Sequence, residues 1–165
     1  MVAGNESKPL YLQNNFHGQE KEGQLRGSYA NWTEPAFGHV FIPVNSAVEI
    51  EYDRRGFYII EKKTGRQKEI EYNDRNMGFD VDEYLKYIVA PSPVVLENFS
   101  EIDRKGIADG KAYIGMSKEG VRVALGYPAR HRTTSLSNDT WIYWRGRFGT
   151  RAVDFDKTGK VAVIR

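Results

Sequence analysis

Cysteine is absent from all 165 residues. That excludes disulfides, thiol nucleophiles and cysteine-ligated metals. No apolar run reaches the length that spans a bilayer. The opening residues, Met1-Val2-Ala3-Gly4-Asn5-Glu6-Ser7, are polar and lack the apolar segment of a secretory leader. There is no Gly-x-x-x-x-Gly-Lys phosphate loop, no dinucleotide fingerprint and no His-Glu-x-x-His pair. Net charge is also scarce: 24 basic against 22 acidic residues leave +2, too little to imply a polyanionic partner by itself.

Reactive constellations are equally thin. The three histidines, His17, His39 and His131, lie far apart and none sits at metal-ligand spacing, so ordinary surface or loop roles are expected, with no metal and no cofactor. Ser117 lies in Gly115-x-Ser117-x-x-Gly120, which is not the nucleophile elbow of hydrolases. The acids Asp53, Asp74, Asp80, Asp82 and Glu83 cluster only loosely, as turn and cap residues do. The expectation is a protein that is not an enzyme.

What is present begins with a core. Hydrophobic residues make up 40% and charged residues 28%, the composition of a folded chain. Charge is unevenly divided. Up to Leu96 there are 11 basic and 14 acidic residues, and from Glu97 onward 13 and 8, giving −3 and +5. The shift supports a boundary near residue 96 and makes the second half the better match for an anionic partner.

Before that boundary the signals are mostly those of strands. Residues 1–9 read as a loose tail and Leu10–Leu12 as a first short strand. Residues 16–27, with three glycines and several charges, read as an exposed loop. Strands follow at His39–Ile42, 47–52, 57–61 and 68–72, joined by tight turns. Such strands with no helix between them predict a small antiparallel barrel of the SH3 type over residues 1–78. Asp80 and Glu83 have capping-box spacing, and Val81, Tyr84, Leu85 and Ile88 share one helical face. Pro91 and Pro93 end this helix and make residues 79–96 a helix plus linker.

The most fully written element comes later. In Gly115-Met116-Ser117-Lys118-Glu119-Gly120-Val121-Arg122-Val123-Ala124-Leu125-Gly126-Tyr127-Pro128, Ser117 can cap a helix whose apolar face is Val121, Ala124 and Leu125. Gly126 and Pro128 stop it. A weaker helical pattern precedes it from Ser100 to Lys105, with Gly106 closing. Strands are expected at Thr140–Trp144, 151–155 and Val161–Ile164. On the first of these Trp141, Tyr143 and Arg145 share a face, with Arg147 just beyond. Aromatic residues and arginine are the types enriched at binding hot spots, so Trp141, Tyr143, Arg145 and Arg147 form the candidate partner-binding surface.

Gly-Met-Ser-Lys-Glu followed by Val and Leu-Gly-x-Pro resembles the opening signature of the SmpA/OmlA (BamE-like) family of small outer-membrane lipoproteins. Trp141-Ile142-Tyr143-Trp144 and Val153-Asp154-Phe155-Asp156-Lys157-Thr158-Gly159-Lys160-Val161 resemble its later strands. The resemblance spans roughly residues 106–164. Gly120 departs from it, standing where a helix former, usually acidic, is expected, and no lipid-acceptor cysteine is present.

The resemblance implies a two-helix domain on a three-stranded antiparallel sheet over 97–165, which together with the SH3-like module makes an α+β chain. It also implies a non-catalytic envelope binding or scaffold protein serving outer-membrane assembly or maintenance. Such a chain would lie at the periplasmic face of a membrane as a processed lipoprotein, with a protein partner or lipid headgroups. Two alternatives stay open: a secreted inhibitor with an architecture like that of β-lactamase inhibitory protein, and a cytoplasmic nucleic-acid binder. For the latter, Arg147-Phe148-Gly149-Thr150-Arg151 does not complete the RNA-recognition strand motif.

Overall fold

The computed structural model describes residues 8–165; most of the expected N-terminal tail falls outside the described residues. Eight strands form one curled mixed sheet, a half-barrel. They are β1 (Leu10–Leu12), β2 (Phe16–Lys21), β3 (Gln24–Ser28), β4 (His39–Ile42), β5 (Ala47–Asp53), β6 (Gly56–Glu61), β7 (Gln67–Glu71) and β8 (Val89–Ala90), in the spatial order β4-β2-β3-β7-β6-β5-β1-β8. A second, antiparallel sheet holds β9 (Thr140–Trp144), β10 (Thr150–Phe155) and β11 (Val161–Ile164), with β10 in the middle. The helices are α1 (Asp74–Met77), α2 (Val81–Ile88), α3 (Glu101–Asp109) and α4 (Lys118–Leu125). Among the described residues no helix is long and apolar enough to cross a membrane.

This architecture corrects the expected fold class. The chain is mostly β with about 20% helix, and not an SH3-like barrel followed by a BamE-like two-helix domain. The physical reason is one pairing. β5, β6 and β7 form the expected meander, but β7 then pairs in parallel with β3 instead of closing a barrel. That pairing recruits the β2–β3 hairpin, which local pattern had marked as loop. The hairpin turn is Glu22-Gly23, both left-handed at φ 53° and 78°, the conformation tight hairpins favour.

Two in-strand glycines are there for a side chain from another strand. A Cβ on Gly18 would lie 2.8 Å from Lys68 Nζ and closer still to the Arg26 carbonyl, and one on Gly27 would lie 2.9 Å from Ile70 Cδ1. Glycine inside a strand marks close approach of this kind. Lys68 on β7 therefore lies across β3 and donates to the Phe16 carbonyl at 2.8 Å.

α2 fills the hollow of the half-barrel. Tyr84, Leu85 and Ile88, the expected apolar face, pack with Leu12, Phe16, Val48, Phe57 and Ile59. Asp80 caps it by accepting from the Glu83 amide at 2.9 Å. A second core joins α3 and α4 to the smaller sheet through Ile107, Met116, Val121, Leu125, Trp141 and Tyr143. α3 runs through Gly106 and stops at left-handed Gly110. Gly106 is not a stop but a contact: a Cβ there would meet the Met116 sulfur at 2.3 Å.

Ser117 caps α4 as expected, accepting from the Gly120 amide at 3.0 Å. Its own hydroxyl and amide both donate to the buried carboxylate of Asp103, at 2.7 and 2.8 Å. That carboxylate explains Gly120, because a Cβ there would lie 2.3 Å from Asp103 Oδ1. Helix propensity alone favours alanine over glycine by about 1 kcal/mol. We expect Gly120→Ala to act in the opposite direction, costing about 2 kcal/mol by displacing a buried, bonded carboxylate. Urea denaturation checks this, and a stabilised variant would contradict the packing argument.

Candidate functional site

The two sheets meet at the C-terminal end of α4. A helix leaves its last carbonyls without internal partners, and here β2, its approach and neighbouring loops supply them. The Asn15 amide donates to the Val123 carbonyl at 2.8 Å. Asn15 Nδ2 donates to Ala124 at 3.1 Å and to Ile107 at 2.8 Å, while its Oδ1 accepts from the Val44 amide at 2.8 Å. The Tyr143 hydroxyl donates to the Gly126 carbonyl and Asn31 Nδ2 to that of Tyr127, at 2.8 and 2.7 Å. Buried hydrogen bonds thus cross the expected boundary near residue 96.

His17 belongs to the same junction. It is fully buried, not on a loop, and its Nε2 donates to the Ala124 carbonyl at 2.8 Å. Its Nδ1 lies 2.8 Å from Nε2 of His39, and the rings stack at 5.1 Å. Protonation states follow from partners. A carbonyl only accepts, so His17 carries its proton on Nε2 and offers a lone pair at Nδ1. His39 must then hold a proton on Nε2. That leaves His39 Nδ1, which has no hydrogen-bond partner among the described residues, as the ring position open to a ligand. Burial, aided by the charges of His39 and Lys68 but opposed by the Ala124 bond, lowers the His17 pKa to about 3. His17 therefore stays neutral near pH 7. Burial and Lys68 also lower the pKa of His39.

His39 lies on the wall of a cleft of about 390 Å³ between the sheets. Its other polar side chains are Thr33, Glu34, Lys111 just after α3, and Arg151 on β10. Arg151 grips Glu34 with two bonds, Nε at 2.8 Å and Nη2 at 2.9 Å. This pair holds the Glu34 carboxyl below its usual range. Among the described residues Lys111 forms no ion pair. Pro35, Leu125, Val153 and Ile164 make the apolar part of the lining. A second opening, about 330 Å³, is lined by Phe79, Tyr87, Tyr127 and Arg130, with the Arg130 guanidinium 5.5 Å from the Phe79 ring. No three His, Asp or Glu side chains among the described residues converge as a metal site would require.

The four residues expected to bind a partner divide into two pairs. Trp141 and Tyr143 are interior: Trp141 packs edge-on against Phe155 at 4.8 Å, and Tyr143 is wholly buried. Arg145 and Arg147 are exposed at the end of the β9–β10 hairpin. Between them and β10 stands Phe148, which the sequence reading did not single out and which is 85% exposed.

The hairpin end is held firmly. Thr33 and Glu34 donate backbone N–H groups to Trp144 and Arg145 at 3.1 and 2.8 Å, covering the free edge of β9. Arg147 stacks 5.6 Å from the Trp32 ring. Trp32 and Asn31 both adopt left-handed backbone, at φ 56° and 77°, a conformation a bulky side chain rarely tolerates. The same loop carries Phe37, 56% exposed.

Set against family models, curated proteins and solved structures, the chain returns no match.

Proposed function

We propose that this chain is a non-catalytic binding protein of the cell envelope and that the end of the β9–β10 hairpin is its contact surface for another protein. The observation that carries the reading is Phe148, a large apolar side chain 85% exposed and flanked by Arg145 and Arg147. Apolar surface of this kind costs free energy in water unless a partner covers it. Arginine beside it supplies directional donors for a partner's carboxylates. The geometry favours binding because little ordering remains to be done. Backbone bonds from Thr33 and Glu34, the Arg151–Glu34 fork and the Arg147–Trp32 contact already fix the hairpin. The envelope setting rests on the likeness of residues 115–128 to the SmpA/OmlA signature.

The test is a photo-crosslinking amino acid at position 148, introduced in cells of the source organism. A discrete protein adduct is expected, lost when Arg145→Ala and Arg147→Ala are combined with it. Position 52 on β5, where Tyr52 is 62% exposed, serves as the comparison. The same adduct from position 52, or adducts with lipid alone at position 148, would overturn the reading.

A further inference from the structure

We propose that the cleft between the two sheets binds a small carboxylate on an apolar stem, of the size and class of a medium-chain fatty acid. Its volume of about 390 Å³ lies within the range of small-molecule sites. Its lining is divided in the way such a ligand needs. Lys111 offers a cation without a competing partner among the described residues, while Glu34 is already occupied by the Arg151 fork. Arg151 bonds Glu34 through Nε and Nη2, which leaves Nη1 for a ligand oxygen.

The apolar lining residues are Pro35, Ala112, Leu125, Val153 and Ile164, of which Val153 is fully buried and Leu125 nearly so. A bare inorganic anion would leave that surface facing water, and a plain hydrocarbon would strip water from Lys111 without compensation. An amphipathic carboxylate satisfies both parts.

The histidine pair adds a proton to the binding event. His17 holds His39 by its Nε2–H, so only Nδ1 of His39 can respond to a ligand. The charged groups around His39 are Lys68 from β7, Lys111 from the turn after α3, Glu34 from the adjoining loop and Arg151 from β10. Lys111, and Lys68 while it is protonated below about pH 7, favour neutral His39, and a bound carboxylate opposes them. Binding then takes up one proton at Nδ1, which becomes a donor to the carboxylate. Affinity therefore rises as pH falls toward 5.5, while the ligand's own carboxyl remains largely ionised.

Isothermal titration with sodium octanoate at pH 5.5 and pH 8, with butyrate and octylamine as comparisons, tests this on the whole chain. Octanoate should bind saturably at one site, tighter at pH 5.5 by about five-fold or more. Each methylene between butyrate and octanoate should tighten binding by roughly three-fold. Octylamine should not compete. Lys111→Ala should weaken octanoate about ten-fold at both pH values. His39→Gln should weaken octanoate more at pH 5.5 than at pH 8, removing the gain on acidification. Urea midpoints matching the parent protein establish that these exposed-site variants are folded. Absence of saturable octanoate binding at both pH values overturns the site. Equal binding of octylamine overturns its carboxylate specificity, and an unchanged pH gain in His39→Gln overturns the proton coupling.

Discussion

Asn15→Ala is expected to destabilise the protein by roughly 3–5 kcal/mol. Asn15 is 1% exposed, and its side chain serves three backbone groups from three separate elements: the carbonyls of Ile107 and Ala124 and the amide of Val44. Alanine leaves the Val44 amide without this partner and the Ile107 carbonyl with only a longer bond from the Gly110 amide at 3.4 Å. The Ala124 carbonyl retains His17. Each buried group left unpaired costs about 1–3 kcal/mol, and the small cavity adds to that.

A domain of this size has only about 5–15 kcal/mol in total, so the loss should appear as a large drop in the urea midpoint. Asn14→Ala is the comparison. Asn14 is also buried, but its carbonyl oxygen accepts nothing and only its Nδ2–Asn15 carbonyl bond is lost. Its cost should be about 1 kcal/mol. If Asn15→Ala cost no more than Asn14→Ala, the junction would not depend on these bonds. Tryptophan fluorescence and far-ultraviolet circular dichroism should be followed together. Every tryptophan lies in the 32–34 loop or on β9, so a fluorescence transition preceding the dichroism transition would locate the first loss at the smaller sheet.

The elements that could be read locally were those whose ends and faces are both encoded in adjacent residues. α4 has Ser117 before it and Gly126 with Pro128 after it, and α2 has Asp80 and its apolar face. The alternation in β5 and β6 was equally plain. The β2–β3 hairpin was not, because Glu22 occupies a left-handed turn position usually marked by Asn, Asp or Gly. Gly18 and Gly27 carry the local signature of a loop, and their reason lies in distant side chains of β7, Lys68 against Gly18 and Ile70 against Gly27. Missing that hairpin hid the parallel β3–β7 pairing, and with it the open sheet.

The same omission hid the histidine pair. Once β2 and β4 are paired, Gln19 stands opposite His39 and His17 opposite Phe41, which brings the two rings to one face. At the candidate surface, alternation separated Trp141 and Tyr143 from Ile142 and Trp144 but gave no sign of which pair faced inward. Both faces are aromatic, and the choice was made by Tyr143 reaching the Gly126 carbonyl, a contact between segments 17 residues apart. Phe148 escaped notice because exposure at a hairpin tip depends on where the tip projects.

Lys68→Met is expected to stabilise the protein by about 2 kcal/mol at pH 7 and to lose that advantage, then reverse it, by pH 10.5. Lys68 is wholly buried with one hydrogen bond, to the Phe16 carbonyl, and no ion pair among the described residues, Glu61 acting on it only at longer range. Burial, with a smaller contribution from Arg66, lowers its pKa from 10.5 to about 7. The unfolded chain therefore holds a proton that the folded chain sheds across this interval. Stability must rise with pH between 7 and 10.5 and be lost as pH falls back toward 7. At about 1.4 kcal/mol per unit, the full displacement is on the order of 4 kcal/mol.

Methionine fills similar space without a charge, so it removes that dependence. It also strands the Phe16 carbonyl, at a cost of about 1–3 kcal/mol, which reduces the gain at neutral pH and produces the deficit at alkaline pH. Buried Tyr84 and Tyr143, whose pKa values are raised by burial, impose their own alkaline dependence. They are common to both proteins, so the difference between parent and variant isolates Lys68. Urea titrations of the pair from pH 6 to 10.5 supply that difference. A difference that stays constant across the range would mean that Lys68 keeps its proton in the fold, and the glycine-lined channel would then have to be solvating the ammonium far better than its single carbonyl contact allows.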